Sequence, residues 1–175
     1  MLLMLAEKIT RDCFSPDIIL AVSRGGYAPA RVISDILGKA EMASVRVQFY
    51  SNIAKTNKKP VITQPISTPV HGKKVLVVDD VADTGKSLSL VKQQLEKGGA
   101  SSIKIATLYK KPWSMIVPDY YVKETDAWIA YPWEWFEFSR SMFKKLKAEG
   151  KSPKEIRMFL NRLGIDRKIT SKIKE

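Results

Sequence analysis

The sequence predicts an α/β fold built on a central, mainly parallel, twisted sheet flanked by helices. Three observations predict it. Short apolar runs alternate with stretches whose apolar residues recur at helical spacing, the order of strands and crossover helices. The run Val75-Leu76-Val77-Val78 has no polar residue to face water, as a strand buried on both faces requires. It ends in two aspartates, and open α/β sheets bind ligands at the carboxyl ends of their strands.

The elements follow in order. Residues 1–13 form a helix with Leu2, Leu5, Ala6 and Ile9 on one face. Residues 18–22 follow Pro16-Asp17 as a short buried strand and end in Ser23-Arg24-Gly25-Gly26. The next helix carries Ile33, Ile36 and Leu37 inward and stops at Gly38. Residues 44–49 alternate and suit a strand. Residues 50–70 are polar, hold three prolines and show little period. That is long for a connection, and long loops are usually functional or mobile. The strand at 75–78 leads into a helix over 85–97, with Leu88, Val91 and Leu95 inward and Gly98-Gly99 as its stop. Residues 103–108 and 126–131 are expected as further strands. Phe143, Leu146 and Lys147 then make a short helical pattern. Ser152-Pro153-Lys154-Glu155 is a helix start, with a Ser N-cap, Pro at N1 and Glu at N3. Ile156, Phe159, Leu160 and Leu163 supply its apolar face, and Gly164 ends it. No internal repeat is visible.

The chain has 175 residues, 45% hydrophobic and 27% charged, which excludes a wholly disordered chain, a collagen and a disulfide scaffold. Its one cysteine, Cys13, permits no intrachain disulfide and fits a reducing cytosol, so a cytoplasmic location is expected. The apolar start at 1–6 is cut short by Glu7 and Lys8 and lacks a basic lead, so no signal peptide is expected. No run approaches the roughly 20 apolar residues of a membrane span, so no membrane partner is expected. The formal charge is +12, from 30 Lys/Arg and 18 Asp/Glu. Such a balance suits nucleic acid, an anionic membrane or anionic small substrates. Residues 1–138 hold 18 Lys/Arg and 14 Asp/Glu, a net of +4, whereas residues 139–175 hold 12 and 4, a net of +8. The chain is thus divided into a core at 1–138 and a basic helical C-terminal extension at 139–175.

The chemistry concentrates after the buried run, in Asp79-Asp80-Val81-Ala82-Asp83-Thr84-Gly85-Lys86-Ser87. The strand delivers two adjacent carboxylates to its carboxyl end, and a Thr-Gly turn leads into a helix. The free N–H groups, dipole and hydroxyls of such a turn suit a phosphate dianion. Carboxylates beside phosphate need an intermediary, and sugar hydroxyls and Mg²⁺, which prefers oxygen ligands, are natural ones. A Walker A loop is excluded, because its first glycine falls on Asp80. A receiver domain also has a strand ending in two aspartates, but that strand usually opens its domain, and this one lies mid-chain.

The whole pattern, from Val75 to Ser87, resembles the phosphoribosyl pyrophosphate (PRPP) motif of type I phosphoribosyltransferases. Ser23-Arg24-Gly25-Gly26 agrees with the family's pyrophosphate loop, and residues 50–70 with its flexible loop over the active site. The resemblance covers about residues 15–137 and implies the type I fold with a small hood. The segments Thr107-Leu108-Tyr109-Lys110-Lys111-Pro112 and Asp126-Ala127-Trp128-Ile129-Ala130-Tyr131-Pro132-Trp133-Glu134 are similar to the base site of 6-oxopurine transferases, especially the xanthine-guanine branch.

The resemblance implies a purine salvage reaction in which PRPP and guanine, xanthine or hypoxanthine give GMP, XMP or IMP and pyrophosphate. Asp79 and Asp80 would hold the ribose hydroxyls, with Asp80 near Mg²⁺. Asp83, Thr84, Gly85, Lys86 and Ser87 would cradle the 5′-phosphate. Asp83 would also take the proton from purine N7, or serve as a helix cap, or both. Ser23, Arg24, Gly25 and Gly26 would bind pyrophosphate, with Ser23–Arg24 as the candidate for a non-proline cis peptide. Lys111 would donate to purine O6 and so exclude adenine; the register leaves Lys110 open, and Pro112 favours Lys111. Trp128 would stack on the base and the Ile129 carbonyl would accept from its N1 or N2 side. Plain core packing is the other reading of Trp128 and Trp133. Lys55, Lys58 and Lys59 are read mainly as solvated loop charge. A homo-oligomer, dimer or tetramer, is implied.

Two rivals keep the fold. One is a PRPP-sensing regulator whose basic tail binds nucleic acid; the aspartates, Lys111 and the Trp128 segment argue against it, since a sensor needs no base site. The other is a transferase for adenine or orotate, which the Lys-Pro and Trp-Ile segments oppose. The tail's apolar positions predict packing on the core or on a partner subunit.

Overall fold

The computed structural model describes residues 1–38, 40–50 and 59–173. Among these, the strands are β1 (Ile18–Ser23), β2 (Glu41–Tyr50), β3 (Lys59–Gln64), β4 (Lys74–Ala82), β5 (Ser102–Lys110) and β6 (Tyr120–Glu124). They form one sheet in the spatial order β3-β2-β1-β4-β5-β6. β1 runs parallel to β2 and β4, β4 to β5, and β5 to β6, while β3 is antiparallel to β2. After an opening α1 (Leu2–Arg11), β1 is joined to β2 through α2 (Tyr27–Leu37) and β4 to β5 through α3 (Lys86–Lys97).

The alternation along the strands explains the continuous apolar runs. Ile18, Leu20 and Val22 of β1, Val75 and Val77 of β4 and Ile105 of β5 join Leu88, Val91 and Leu95 of α3 in one buried cluster. The intervening Ile19, Ala21, Leu76 and Val78 are equally buried, so both faces of the sheet are covered. α1 and α2 pack on each other and on β1, β4, β5 and β6, burying Leu5, Ala6, Ile9, Ala30 and Ile33. Each leucine and isoleucine among these contributes about 1.5–3 kcal/mol on burial, the alanines less. The parallel sheet places the carboxyl ends of β1 and β4 side by side, in the register Ile18↔Val75 to Ala21↔Val78.

Four expectations are corrected. Residues 126–131 form no strand; the sixth strand is Tyr120–Glu124, whose start is fixed by the Asp119 carboxylate accepting from the Ile105 N–H at 2.8 Å. Within 50–70, residues 59–64 form the edge strand β3, where Pro60 lacks only a ladder donor that an edge can spare. The expected flexible loop otherwise falls largely on residues 51–58, which lie outside the described residues. On α2, Ile33 is buried but Ile36 is 41% exposed, since the buried face runs through Pro29, Ala30 and Ile33. On the fifth helix, Ile156 and Leu160 are buried, while Phe159 and Leu163 are exposed.

The chain divides into two compact units, Met1–Asp126 and Ala127–Glu175. The charge step at 138/139 lies inside α4 (Trp135–Ala148), so it is a change of composition along one helix. The second unit continues with α5 (Pro153–Arg162) and α6 (Arg167–Thr170). Its helices bury a core of their own, made of Phe143, Ile156, Leu160, Ile165 and Ile173. The start of α5 is a full capping box: Ser152 Oγ accepts from the Glu155 N–H at 3.3 Å, and Glu155 accepts from the Ser152 N–H at 2.8 Å. That hydrogen bonding, from the Ser152 hydroxyl first, holds the Glu155 carboxyl below its usual range.

Candidate active site

The site begins where β1 and β4 end together. Gly26 sits so tightly between them that a Cβ there would collide with the backbone of Val22 and Val78. A Cβ on Gly25 would collide with the Asp80 carboxylate. The two glycines are therefore a condition of bringing the Ser-Arg-Gly-Gly loop against the acid pair. The Ser23–Arg24 peptide is cis, as the resemblance implied. Asp79 is half-buried and its Oδ1 accepts from the Asp80 N–H at 3.0 Å, while Asp80 is only 7% exposed. One carboxylate thus turns back on the strand end, and the other faces the glycine loop.

The turn after β4 is open toward an anion. Gly85 adopts a left-handed φ of 78° at the N-terminus of α3, a conformation glycine accepts without strain. The N-cap residue, Gly85, has no side chain to cap α3, and the first turn holds no acidic residue, so the helix dipole there favours an anion. Thr84 Oγ1 accepts from the Lys86 N–H at 3.4 Å, an open bond that shapes the turn. Asp83 and Thr84 are exposed.

The end of β5 lies against this turn. The Lys111 N–H donates to the Ala82 carbonyl at 2.9 Å and the Met115 N–H to the Thr84 carbonyl at 3.2 Å. A Cβ on Gly85 would lie 2.8 Å from the Ile116 nitrogen, so only a glycine lets the segment after β5 approach this closely. Lys110 Nζ is 2.7 Å from Glu124 on β6 and is committed to that ion pair. Lys111, 7% exposed, carries its ammonium 5.5 Å from the centre of the Trp113 ring. The Trp113 indole N–H donates to Asp83 Oδ1 at 3.0 Å.

The first unit therefore brings together Ser23 to Gly26, Asp79, Asp80, the turn from Asp83 to Ser87 and Lys111. Trp128 and Ile129 belong to the second unit. Trp128 is 82% exposed, which removes the core-packing reading for it, and Trp133 lies half-exposed with its ring stacked on Tyr131 at 4.9 Å. Lys55 and Lys58 lie outside the described residues, and Lys59 is exposed at the start of β3. Two residues escaped the sequence reading. Trp113 follows Lys111-Pro112, and an exposed aromatic in a turn beside a motif lysine was the available signal. Tyr27, next to Gly26, has its phenol held below the usual range, chiefly by hydrogen bonding with Ser44, then with Ser23, with the Arg46 charge adding to it.

Among the described residues no three His, Cys, Asp or Glu side chains converge as a metal cage. Mg²⁺ does not need one: it takes one or two carboxylates and completes its shell with waters and substrate phosphates. The buried Asp80 carboxylate, facing the Ser-Arg-Gly-Gly loop, fits a cation shared with a phosphorylated substrate.

A Thr-Gly turn, an acid pair and a glycine loop at neighbouring strand ends make this an α/β protein with a candidate ligand site at the carboxyl edge of its sheet. More narrowly, the chain belongs to the phosphoribosyl transferase domain family, whose model matches residues 4–142. It is similar to the xanthine-guanine phosphoribosyltransferase of Idiomarina loihiensis, 34% identical over 118 residues, covering 66% of this chain and 70% of that protein. It is similar to the enzyme of the same name from Gluconobacter oxydans, at 32% identity over 118 residues and 66% and 67% coverage. Among solved structures it is similar to a purine phosphoribosyltransferase from Pyrococcus horikoshii, with a TM-score of 0.68 and 47% identity over 75% of this chain and 85% of that one. The sheet and its helices are those of the type I fold.

Proposed function

We propose that this chain transfers the 5-phosphoribosyl group of PRPP to a 6-oxopurine (guanine, xanthine or hypoxanthine), releasing pyrophosphate and the nucleoside 5′-monophosphate. One observation carries this reading: the buried Lys111 is hydrogen-bonded through its backbone to the residue before Asp83, so a cationic side chain borders the turn that leads into α3. The names of the similar proteins support it.

The purine nitrogen forms a bond to the anomeric carbon as the bond to pyrophosphate breaks, and the sugar passes through an oxocarbenium-like state. Asp79 and Asp80 hold the ribose hydroxyls. The N–H groups from Thr84 to Ser87 fix the 5′-phosphate at the start of α3. Arg24 and the amides of Gly25 and Gly26 receive the developing pyrophosphate charge, a preorganised electrostatic role. Asp83 accepts the proton from N7. The Lys111 ammonium donates to O6. Adenine presents an amine there, so two donors would face each other and one would stay unpaired. Lys110 is a poorer candidate because Glu124 already holds it. Asp80 is the side chain to hold Mg²⁺, which supplies charge neutralisation to the leaving group when bound. Trp128, exposed in the second unit, is the candidate to stack on the base, beside the Ile129 carbonyl.

Asp83→Asn tests the assignment. Loss of a general base costs roughly 10²–10⁴-fold in turnover. We expect kcat with hypoxanthine or guanine to fall at least about 100-fold, with PRPP binding largely retained. Turnover at the wild-type rate would remove Asp83 from the chemistry.

A further inference from the structure

We propose that Trp113 is a positioning residue of this site: its indole N–H orients the Asp83 carboxylate while its ring face seats the Lys111 ammonium. The inference rests on the proposed phosphoribosyl transfer and adds to it a residue that links proton acceptor and base selector. Asp83 and Lys111 come from different strand ends, β4 and β5, and each side chain has several rotamers. Trp113 touches both. Its Nε1 lies 3.0 Å from Asp83 Oδ1, and its ring centre lies 5.5 Å from Lys111 Nζ. A hydrogen bond to a carboxylate is directional, and a cation over an indole face is drawn to the ring centre.

The backbone holds the indole in place. The Ser114 N–H donates to the Lys111 carbonyl at 3.1 Å, closing the turn that carries Trp113, and Met115 is tied to Thr84 at 3.2 Å. The ring itself is 56% exposed, so core packing is not its purpose. A carboxylate oxygen accepts more than one hydrogen bond, so Asp83 held by the indole keeps capacity for a purine N–H. Transition-state geometry tolerates little misplacement, and a small displacement of an acceptor costs rate more than it costs binding.

Two variants separate the two contacts. Trp113→Phe keeps an aromatic face for Lys111 and deletes the donor to Asp83. It is expected to lower kcat about tenfold, the low end for a hydrogen bond to a charged group, with KM for the base within about twofold. Trp113→Leu deletes both contacts and is expected to lower kcat similarly and raise KM for the 6-oxopurine several-fold. Both should melt within about 2 °C of the wild type, since the residue is exposed. A wild-type kcat in Trp113→Phe overturns the proposal. So does a lower KM for the base in Trp113→Leu, which would make the indole an obstacle in the base position. If the wild type is active and Asp83→Asn is not, either result removes Trp113 alone. If the wild type releases no pyrophosphate with any 6-oxopurine, the reading of the site falls and this proposal falls with it.

Discussion

Lys111 shows how much a single position can depend on its neighbour. It and Lys110 are adjacent in sequence, yet β-strand alternation and the turn after β5 send them to different partners, Glu124 and Trp113. We expect Lys111→Ala to lower kcat/KM for 6-oxopurines about 10- to 100-fold, the worth of a hydrogen bond from a charged donor, while leaving KM for PRPP within about twofold. Steady-state kinetics with each substrate varied in turn checks this. Lys110→Ala should instead loosen the β5–β6 pairing. At this scale the consecutive motif residues were legible, because a strand end and its turn are contiguous in the chain. Trp113 was not, because its link to Asp83 spans 30 residues and exists only once β4 and β5 are paired.

The edge of the sheet held the less legible elements. The capping box of α5 and the Gly38 stop of α2 were readable, since both are local chemistry. The position of β6 was not: Trp128-Ile129-Ala130-Tyr131 is as apolar as Tyr120-Tyr121-Val122, and the choice is made by tertiary contacts. The Tyr120 hydroxyl donates to Asp12 at the end of α1, and Lys104 on β5 pairs with Asp119 at 3.1 Å. Burial, first, and then the Asp12 hydrogen bond and charge push the Tyr120 phenol well above its ordinary value near 10. The folded chain therefore holds that proton more tightly than the unfolded chain. The resulting stability is fully present below about pH 10 and is lost as pH rises above it. Melting temperature recorded from pH 8 to 11.5 should fall at the alkaline end in the wild type, and the fall should be shallower in Tyr120→Phe. Equal slopes would show that another group carries the alkaline sensitivity.

For the whole molecule, the +12 charge divides evenly between the two units: residues 1–126 hold 18 Lys/Arg and 12 Asp/Glu, a net of +6, and residues 127–175 hold 12 and 6, also +6. In the first unit, Arg24, Lys111 and the turn from Asp83 to Ser87, which we propose takes the 5′-phosphate, come together with Asp79 and Asp80 at the strand ends. The second unit gathers basic residues on helices that share a buried cluster of Phe143, Ile156, Leu160, Ile165 and Ile173. The family match stops at residue 142, inside α4, so most of that basic unit lies beyond it. No helix among the described residues is long and apolar enough to cross a membrane. The central claim is a chemical one about the intact chain: it joins a 6-oxopurine to the phosphoribosyl group. Pyrophosphate release from PRPP and Mg²⁺, measured with hypoxanthine, guanine, xanthine, adenine and orotate in turn, tests it most directly. Release with at least one of the first three, matched by formation of IMP, GMP or XMP and absent with adenine and orotate, is the predicted result. PRPP binding with no release for any of the three 6-oxopurines would contradict it.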